Sequence, residues 1–402
     1  MKKLLHIHSA DKGGGAEIFA YSFLELTSFE SCLFVKKKYT NHPKVFQINR
    51  PIFSKFIELV DKVLYKIFKR TLFANFSVLY PIHNTWKNLS KLPQYQEADA
   101  VVLHNLHSDF FDLDALRQIA RQKPMFWVMH DMWVMTGGEV HTFEDNSYQK
   151  GIAQTPYFKL YPLCHPLIDR RKKYLDKKKR LFYELKNQMT FVPVSHWLSD
   201  CLRNSYIYHP EMKIKTILNG IDNQIFKNLD LRNWQTPRIL IFNSDNPFKG
   251  INLFKNILFK IEIPFELITV GSPIKGFLPQ KVFPLTNDRL KLNQYYNNAD
   301  IMIFPSLAEN FPLTVLEAMS AGLVVIASRV GGIIDQIDEK TGFLFEKGSE
   351  TDLLDKITEV LKMNLSLVRS MGREASKRVN ENYTIKIMEK NYDKLFSERI
   401  LT

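Results

Sequence analysis

The chain has 402 residues, which is too long for one ordinary hydrophobic core, so two domains of roughly 150–200 residues each are expected. Hydrophobic residues make up 45% and charged residues 24% of the sequence, which excludes intrinsic disorder, and the absence of a long apolar run favours a cytoplasmic protein. The formal charge is +13, and residues 1–200 hold 29 basic but only 19 acidic side chains. We therefore expect the first half to meet an anionic partner.

Apolar runs of strand length alternate with helical patterns along the chain, which predicts parallel sheets covered by helices. A polar segment at 222–237 separates two series of such runs. The expected fold class is α/β, with two Rossmann-like domains facing one another at 1–221 and 222–384, and a last helix at 385–402 that crosses back to the first domain. The strands are expected at 4–8, 100–104, 125–130, 191–195 and 214–219, then at 238–243, 265–271, 299–305 and 323–328.

Two basic stretches of the first half, 53–73 and 169–186, both show helical patterns. In the first stretch, lysines and one arginine are interleaved with apolar residues, and the second stretch contains nine basic residues. An anionic membrane face attracts such segments by about 1 kcal/mol per basic side chain near the surface. Each stretch is therefore a candidate for membrane docking at the inner face of the cytoplasmic membrane, and the alternative is an ordinary amphipathic surface helix. We expect no nucleic-acid partner.

The first strand is followed by a glycine-rich turn, Asp11 to Glu17, that contains Gly14 and Gly15. Ligands of doubly wound sheets bind beyond the carboxyl ends of the strands. Glycines allow a ligand close to the backbone, and the helix after the turn presents free N–H groups suited to phosphate. The alternative is a tight strand-to-helix turn without a ligand.

A second polar segment, Glu309 to Met319, follows the strand expected at 299–305 and leads into a helix expected from about Pro312. Glu309 precedes that helix and Glu317 lies inside it. A buried carboxylate needs hydrogen-bond donors, which neighbouring sugar hydroxyls supply. The free N–H groups of Phe311, Leu313 and Thr314 are candidates to hold a diphosphate. The alternative is a capped core helix with one solvated glutamate.

These residues carry a resemblance to a known family. Glu309 and Glu317, separated by seven residues, lie in ENFPLTVLEAMSAGLVVIAS, and this segment resembles the EX7E region of glycosyltransferase family 4. The resemblance extends through further landmarks in the same order along the chain. They are GGGAE, HNLH, HDMWVMTGG, VPVSHWL, ILNGID, the KG pair at 249–250 and TGFLF. The HDMW-TGG segment and the basic segment DRRKKYLDKKK look most like the bacterial branch that builds colanic acid and other surface polysaccharides.

The resemblance implies a GT-B fold and a metal-independent transfer that retains the anomeric configuration. The donor would be a nucleotide diphosphate sugar, with UDP slightly favoured, and the acceptor a lipid-linked or anionic glycan. Glu317 would meet the nucleotide ribose, Glu309 the donor sugar and Lys249 the diphosphate. The turn at Gly14 and Gly15 would approach the same phosphates. His130 would lie beside the donor sugar or the acceptor hydroxyl, and the alternative for His130 is a histidine that only caps a strand end.

The chain departs from the family pattern in two places. Members commonly carry an arginine about five residues before the lysine of the KG pair, where this chain has Asn243, Ser244 and Asp245. Another basic residue such as Arg329 or Lys275 could replace it, backbone N–H groups could hold the diphosphate, or activity could be reduced. A catalytically silent nucleotide-sugar-binding subunit is therefore one alternative function. A nucleotide-sugar epimerase, built on the same double Rossmann plan, is another.

The second departure concerns cysteines, which are frequent after the TGG segment in the bacterial branch. This chain has only Cys164 there, and its three cysteines, Cys32, Cys164 and Cys201, are too widely spaced for a CxxC site. His141, Asp145 and His165 match no common metal spacing, so no metal site is expected.

Overall fold

The computed structural model describes residues 1–68, 76–107, 109–143, 145–154 and 168–400. Within them the chain forms two compact units, 1–217 with 389–402 and 218–388. The α/β class and the two Rossmann-like sheets expected from the sequence are confirmed. The predicted divisions after 221 and 384 differ by a few residues from the division into units, because Leu218–Ile221 and Ile385–Met388 belong to the second unit. Cys164 and His165 lie outside the described residues.

The first unit is built on a parallel sheet with the strand order β3-β2-β1-β4-β5-β6-β7 among the described residues. Its strands are β1 Lys2–Ala10, β2 Phe29–Lys37, β3 Val45–Gln47, β4 Ala100–Leu103, β5 Met125–Met129, β6 Met189–Pro193 and β7 Lys213–Ile214. Its helices are α1 Gly15–Ser22, α2 Ile52–Phe68, α3 Phe76–Leu79, α4 Thr85–Leu89, α5 Pro93–Glu97, α6 Ala115–Ala120, α7 Arg171–Glu184 and α8 His196–Arg203.

The second unit is built on a parallel sheet with the strand order β10-β9-β8-β11-β12-β13 among the described residues. Its strands are β8 Arg238–Asn243, β9 Glu266–Gly271, β10 Gln280–Phe283, β11 Ile301–Phe304, β12 Val324–Ser328 and β13 Gly342–Phe345. Its helices are α9 Ile251–Ile257, α10 Arg289–Tyr296, α11 Leu313–Ser320, α12 Ile333–Gln336, α13 Glu350–Lys362 and α14 Leu365–Asn382, and α15 Ile385–Ile400 begins in this unit.

The central strands are buried on both faces, as their continuous apolar sequences predict for parallel sheets. Four strands were not predicted: β2, β3, β10 and β13. Strand β10 is a sheet edge with two exposed residues, Lys281 and Val282, so its sequence lacks the apolar run of a buried strand. The strand predicted at 214–219 is limited to Lys213–Ile214. A prediction based on apolar runs therefore misses an edge strand such as β10, because its residues are not buried on both faces.

The last helix, α15, packs most of its length against the first unit. Tyr392 lies edge-on against Phe23 at 5.1 Å between ring centroids, and Phe396 lies against Phe126 at 4.6 Å. Lys2 donates to Asp393 at 2.7 Å. At its start, Ile385 N donates to Ile221 O at 2.8 Å within the second unit.

In both sheets the order of strands reverses at one pair of neighbours, β1 with β4 in the first and β8 with β11 in the second. At such a pair the two connections leave in opposite directions and open a crevice beyond the carboxyl ends of the strands. The predicted site residues of each unit should therefore be sought just after these strands.

Candidate functional site

Lys249 lies just beyond β8, at the end of a short turn formed by Pro247–Lys249. The side chain of Asn246 accepts a hydrogen bond from Phe248 N at 3.0 Å and starts this turn. The turn ends at Gly250, whose φ of +64° is unfavourable for other residues. A Cβ atom on Gly250 would lie 1.8 Å from the carbonyl oxygen of Pro305, so glycine is required here.

The loop after β11 is bonded to this turn. Leu307 N donates to Phe248 O at 2.7 Å, and Ser306 Oγ donates to the same carbonyl at 3.0 Å. These bonds bring residues that are far apart in the sequence to the same edge of the sheet. They place Lys249 beside Glu309.

Lys249 and Glu309 form an ion pair, with 2.7 Å between Lys249 Nζ and Glu309 Oε1. Ser306 Oγ also lies 2.8 Å from the same carboxylate oxygen, so its single hydrogen is shared between Glu309 Oε1 and Phe248 O. The Lys249 side chain is 44% exposed, whereas that of Glu309 is 12% exposed. The lysine therefore remains accessible to a ligand while the carboxylate is held in place. The sequence predicted both residues but not that they would pair with each other.

The other side of the Glu309 loop is held by the turn after β12. Gly331 has a φ of +52°, and a Cβ atom there would lie 1.6 Å from Glu309 O. Gly332 N donates to Asn310 O at 2.9 Å. The backbone at Glu309 is thus fixed between two glycine turns, which pre-organises its side chain.

Helix α11 begins at Leu313, one residue later than predicted, and Pro312 precedes it with an extended backbone. No side chain caps the helix, and the N–H groups of Phe311, Leu313 and Thr314 make no hydrogen bond within the described residues. The ring of Phe311 is buried against Tyr383 at 5.9 Å between centroids. Phe311 can therefore offer a ligand its backbone but not its side chain.

Glu317 lies further along α11, where Tyr296 donates a hydrogen bond to its Oε2 at 3.0 Å. Burial raises the pKa of the Glu317 carboxyl to about 7, against the hydrogen bond from Tyr296 and the positive charge of Arg289. Glu317 and Glu309 share no hydrogen-bond partner among the described residues. The two predicted carboxylates therefore have different environments: one is ion-paired and the other is poised to gain or lose a proton near neutral pH. Tyr296 and Ser306 were not predicted. Tyr296 lies on another helix, 21 positions before Glu317, and Ser306, although three positions before Glu309, belongs to no pattern that marks it as a partner.

In the first unit, the Gly14 and Gly15 turn leads from β1 into α1. Asp11 anchors the start of the turn by accepting hydrogen bonds from Tyr39 N at 2.7 Å and Thr40 N at 2.9 Å. Gly14 N donates to Glu17 Oε2 at 2.9 Å, so a carboxylate of the chain itself already occupies this N–H group. Helix α1 begins at Gly15, whereas the sequence pattern predicted that it would begin after the turn that ends at Glu17.

The glycine at position 14 is not required by the fold. Its φ is −83°, and a Cβ atom there would meet only Glu17 Oε2 at 3.5 Å, an ordinary contact. This contrasts with Gly250, where both the φ angle and the available space demand glycine. Since neither the backbone angle nor the packing requires glycine at position 14, a ligand that approaches the backbone closely is one reason for glycine there.

His130 lies just beyond β5 and is 9% exposed. Burial lowers the pKa of its imidazole to about 4, so the ring is neutral at pH 7. The distance is 3.1 Å between His130 Nε2 and His104 Nδ1. On the other side of the ring, His104 Nε2 lies 3.0 Å from His6 Nδ1. His6 and His104 were not predicted as site residues, although three histidines placed within or at the ends of predicted strands were a usable signal.

The two basic stretches differ in the structure. On α7, several basic side chains pair with carboxylates of the first unit: Arg171 with Glu139 at 2.8 Å, Lys172 with Asp176 at 2.8 Å and Lys177 with Asp114 at 2.6 Å. Lys178 is buried and donates to two backbone carbonyls. On α2, in contrast, six apolar side chains are at least half exposed: Ile52, Phe53, Phe56, Leu59, Val63 and Ile67. Lys69 and Arg70 of this stretch lie outside the described residues.

Arg329, one of the proposed replacements for the missing arginine, pairs with Glu346 at 3.1 Å. Ser244 accepts a hydrogen bond from Asn246 N at 3.2 Å. Within the described residues, no group of three or more histidine, cysteine or acidic side chains is arranged to hold a metal ion. Over the same residues, no helix has the length and apolar character to cross a membrane.

Residues 277–378, which include the Glu309 loop and α11, match the family "Glycosyl transferases group 1". The chain is 27% identical to the putative colanic acid biosynthesis glycosyl transferase WcaC of Escherichia coli over 313 residues, covering 72% of this chain and 71% of that protein. The protein is a glycosyltransferase.

Solved structures agree on its fold. The sucrose-phosphate synthase from Thermosynechococcus elongatus superimposes with a TM-score of 0.69 and 17% identity, covering 99% of each chain. HepE from Anabaena, in a complex with UDP and glucose, gives a TM-score of 0.62 and 16% identity, covering 99% of this chain and 100% of that chain. The glycosyltransferase therefore has the GT-B fold.

Proposed function

We propose that this glycosyltransferase is a member of family 4 that transfers a sugar, with retention of configuration, from a nucleotide diphosphate sugar to a lipid-linked or polysaccharide acceptor in bacterial surface glycan biosynthesis. The similarity to WcaC supports the polysaccharide context. The complexes of HepE with UDP and UDP-glucose support a nucleotide sugar donor, with UDP as the favoured carrier. The spacing of Glu309 and Glu317 supports the EX7E assignment.

The observation that carries the proposal is the arrangement after β8 and β11, where an accessible lysine lies beside a fixed carboxylate in the loop that leads to an uncapped helix start. A diphosphate is a dianion or more, and both an ammonium group and free backbone N–H groups attract it. Lys249 would either leave Glu309 and bind the phosphates, or contact Glu309 and a phosphate at the same time. Leu313 and Thr314 would donate from the start of α11.

Glu317 would bind the nucleotide ribose. Two neighbouring hydroxyl groups can donate to a carboxylate, and their donation favours its ionised form. The ribose would therefore lower the raised pKa of Glu317, and binding near pH 6.5 would release a proton. Tyr296 would hold the carboxylate in position from inside the unit.

During transfer, the bond between the sugar and the diphosphate breaks and negative charge grows on the leaving phosphate. Lys249 would stabilise that charge, and the departing phosphate oxygen would accept the proton of the attacking hydroxyl. Glu309 would align the donor sugar. In this scheme His130 contacts a sugar hydroxyl without acting as a general base, and no metal ion takes part.

The experiment is to measure the release of free nucleotide from UDP-glucose and related donors with a lipid-linked glycan acceptor. We expect Lys249→Ala to lower kcat about 100- to 1,000-fold, the usual loss when one group that stabilises developing charge is removed. Lys255→Ala, on the next helix, is the matched control and should leave kcat unchanged. Glu309→Ala should lower kcat more than nucleotide affinity, whereas Glu317→Ala should weaken nucleotide binding.

Other outcomes would favour the alternatives. Nucleotide sugar binding without nucleotide release would indicate a catalytically silent subunit. Conversion of the sugar while it stays attached to its nucleotide would indicate an epimerase. Unchanged kinetics of the Lys249 and Glu309 variants would contradict the site itself.

We also propose that α2 docks the enzyme at the inner face of the cytoplasmic membrane. Its exposed apolar row, Ile52, Phe53, Phe56, Leu59, Val63 and Ile67, is flanked by Lys55, Lys62 and Lys66. Glu58 fixes the helix to the first unit through Arg50 at 2.6 Å and Lys36 at 3.3 Å. An apolar row beside lysines matches an anionic bilayer, because the row enters the acyl boundary while the lysines meet the head groups.

The test is flotation of the protein with vesicles that contain anionic lipid or only neutral lipid. We expect recovery with anionic vesicles that falls as salt is added. The double variant Phe56→Asp with Leu59→Asp should lose it, whereas Leu367→Asp, an exposed apolar residue of α14, is the matched control. Equal recovery with neutral vesicles would contradict the proposal.

A further inference from the structure

Three histidines on neighbouring strands form a continuous row in the first unit. His6 lies within β1, His104 follows β4 and His130 follows β5. The distance is 3.0 Å between His6 Nδ1 and His104 Nε2, and 3.1 Å between His104 Nδ1 and His130 Nε2. Successive ring planes are inclined by only 19° and 18°, which suits hydrogen bonds directed along the plane of each ring.

The row is closed at one end and open at the other. His6 and His104 are completely buried, whereas His130 is 9% exposed. The second nitrogen of His6, Nε2, is buried without a partner. Phe19 of α1 lies edge-on to His130 at 4.9 Å between ring centroids, and Phe23, which directly follows α1, covers His6 at 4.7 Å. Of the three rings, His130 is therefore the one that a ligand can contact, and a change of tautomer in the row affects a ligand through His130.

All three rings are neutral at physiological pH. Burial lowers the pKa of His6 to about 3 and that of His130 to about 4, and it lowers the pKa of His104 well below its ordinary value. A neutral imidazole carries one N–H donor and one acceptor nitrogen. Because both nitrogens of His104 are engaged, its single hydrogen decides the direction of both contacts.

Only two arrangements satisfy both contacts. If His104 carries its hydrogen on Nδ1, it donates to His130 and accepts from His6, so all three rings are Nδ1–H tautomers. If His104 carries it on Nε2, both directions reverse and all three rings are Nε2–H tautomers. The remaining nitrogen of His130, Nδ1, is a donor in the first arrangement and an acceptor in the second.

We propose that His6 and His104 are positioning residues that set the tautomer of His130, so that the three rings always carry their hydrogens on the same kind of nitrogen. Its consequence for sugar transfer rests on the proposed function, since a tautomer matters there only if His130 meets a substrate hydroxyl. A mixed row would place two lone pairs or two hydrogens face to face in a buried site, which costs more than a made hydrogen bond contributes. The row therefore couples the tautomer of His130 to those of His6 and His104.

The direct test is NMR of the protein labelled with 15N at histidine. The chemical shifts of the ring nitrogens report the tautomer of each ring, and a scalar coupling between nitrogens across a hydrogen bond reports each contact. We expect one common tautomer for His6, His104 and His130 and a coupling across both contacts. Different tautomers within the row, or the absence of both couplings, would overturn the proposal without bearing on the transferase activity.

A variant separates positioning from packing. His104→Phe keeps a planar ring but breaks both contacts, and we expect His130 to change its tautomer or to populate both. The matched control is His8→Phe, because His8 is equally buried on β1 and its ring packs against His104 at 5.6 Å between centroids, but its Nδ1 accepts from Ala10 N and it makes no hydrogen bond to the row. The control should leave the other three tautomers as in the wild type. An unchanged His130 in the folded His104 variant would overturn the proposal.

The kinetic arm tests the consequence for transfer. We expect His104→Phe to lower kcat by roughly 10- to 100-fold while nucleotide affinity is retained, because His130 in the other tautomer loses the hydrogen bond that orients the sugar hydroxyl. The nucleotide is expected to bind in the second unit, which this change does not touch. If NMR shows one common tautomer and both couplings but kcat is unchanged, His6 and His104 set the tautomer as proposed. The proposed contact between His130 and a substrate hydroxyl is then contradicted.

Discussion

The pKa of Glu317 leads to a specific prediction about stability. The carboxyl group has a pKa of about 7 in the folded protein, against 4.5 for an ordinary glutamate. Each pKa unit is worth about 1.4 kcal/mol, so the difference corresponds to about 3 kcal/mol. Between the two values the folded protein keeps a proton that the unfolded chain has released. The free energy of unfolding therefore falls as the pH rises through this window, and the contribution present below pH 4.5 is lost above pH 7.

The perturbation is Glu317→Gln, which keeps the shape and the neutral state of the protonated acid and can still accept from Tyr296. The variant cannot ionise, so it should gain stability over the wild type by roughly 2–3 kcal/mol between pH 5 and pH 8. The assay is urea unfolding of both proteins across that range. Glu374→Gln, an exposed glutamate on α14, is the control and should follow the wild type at every pH.

The same site should take up or release protons on binding. If the ribose donates to the ionised carboxylate, UDP binding at pH 6.5 releases a proton, and calorimetry in buffers of different ionisation enthalpy measures it. The glutamine variant should release none. A stability difference between Glu317→Gln and the wild type that does not vary with pH would refute the reasoning, because it would mean that Glu317 is ionised in the folded protein throughout the range.

The glycines of the two units should respond differently to alanine. Gly250→Ala should cost at least about 1–2 kcal/mol for the positive φ alone, and more for displacing Pro305, so its melting temperature should fall. Gly14→Ala should melt like the wild type but bind UDP-glucose more weakly, and an unchanged affinity would contradict a role in binding. Lys178→Met should lower stability by about 1–3 kcal/mol, because the buried carbonyl oxygens of Trp133 and Thr136 lose a charged donor. An equal or higher melting temperature of the Lys178 variant would contradict that prediction.

Local sequence patterns account for the framework of the protein. Apolar runs mark the buried central strands, because a strand covered on both faces needs apolar residues at every position. The last helix, predicted at 385–402, spans Ile385–Ile400 in the described residues. Glu309 and Glu317 were proposed as site residues because their spacing within one continuous stretch resembles a family motif, and the KG pair was proposed as a separate landmark of the same resemblance.

Contacts between distant residues decided the rest. Lys249 and Glu309 pair although they are 60 positions apart, because a serine and a glycine turn join the loops after β8 and β11. The pKa of Glu317 depends on burial and on Tyr296 from another helix. The row from His6 to His130 exists because three strands place their rings side by side. Local periodicity reports which face of an element is buried. It does not report which polar groups meet there, because that depends on the order and register of the strands.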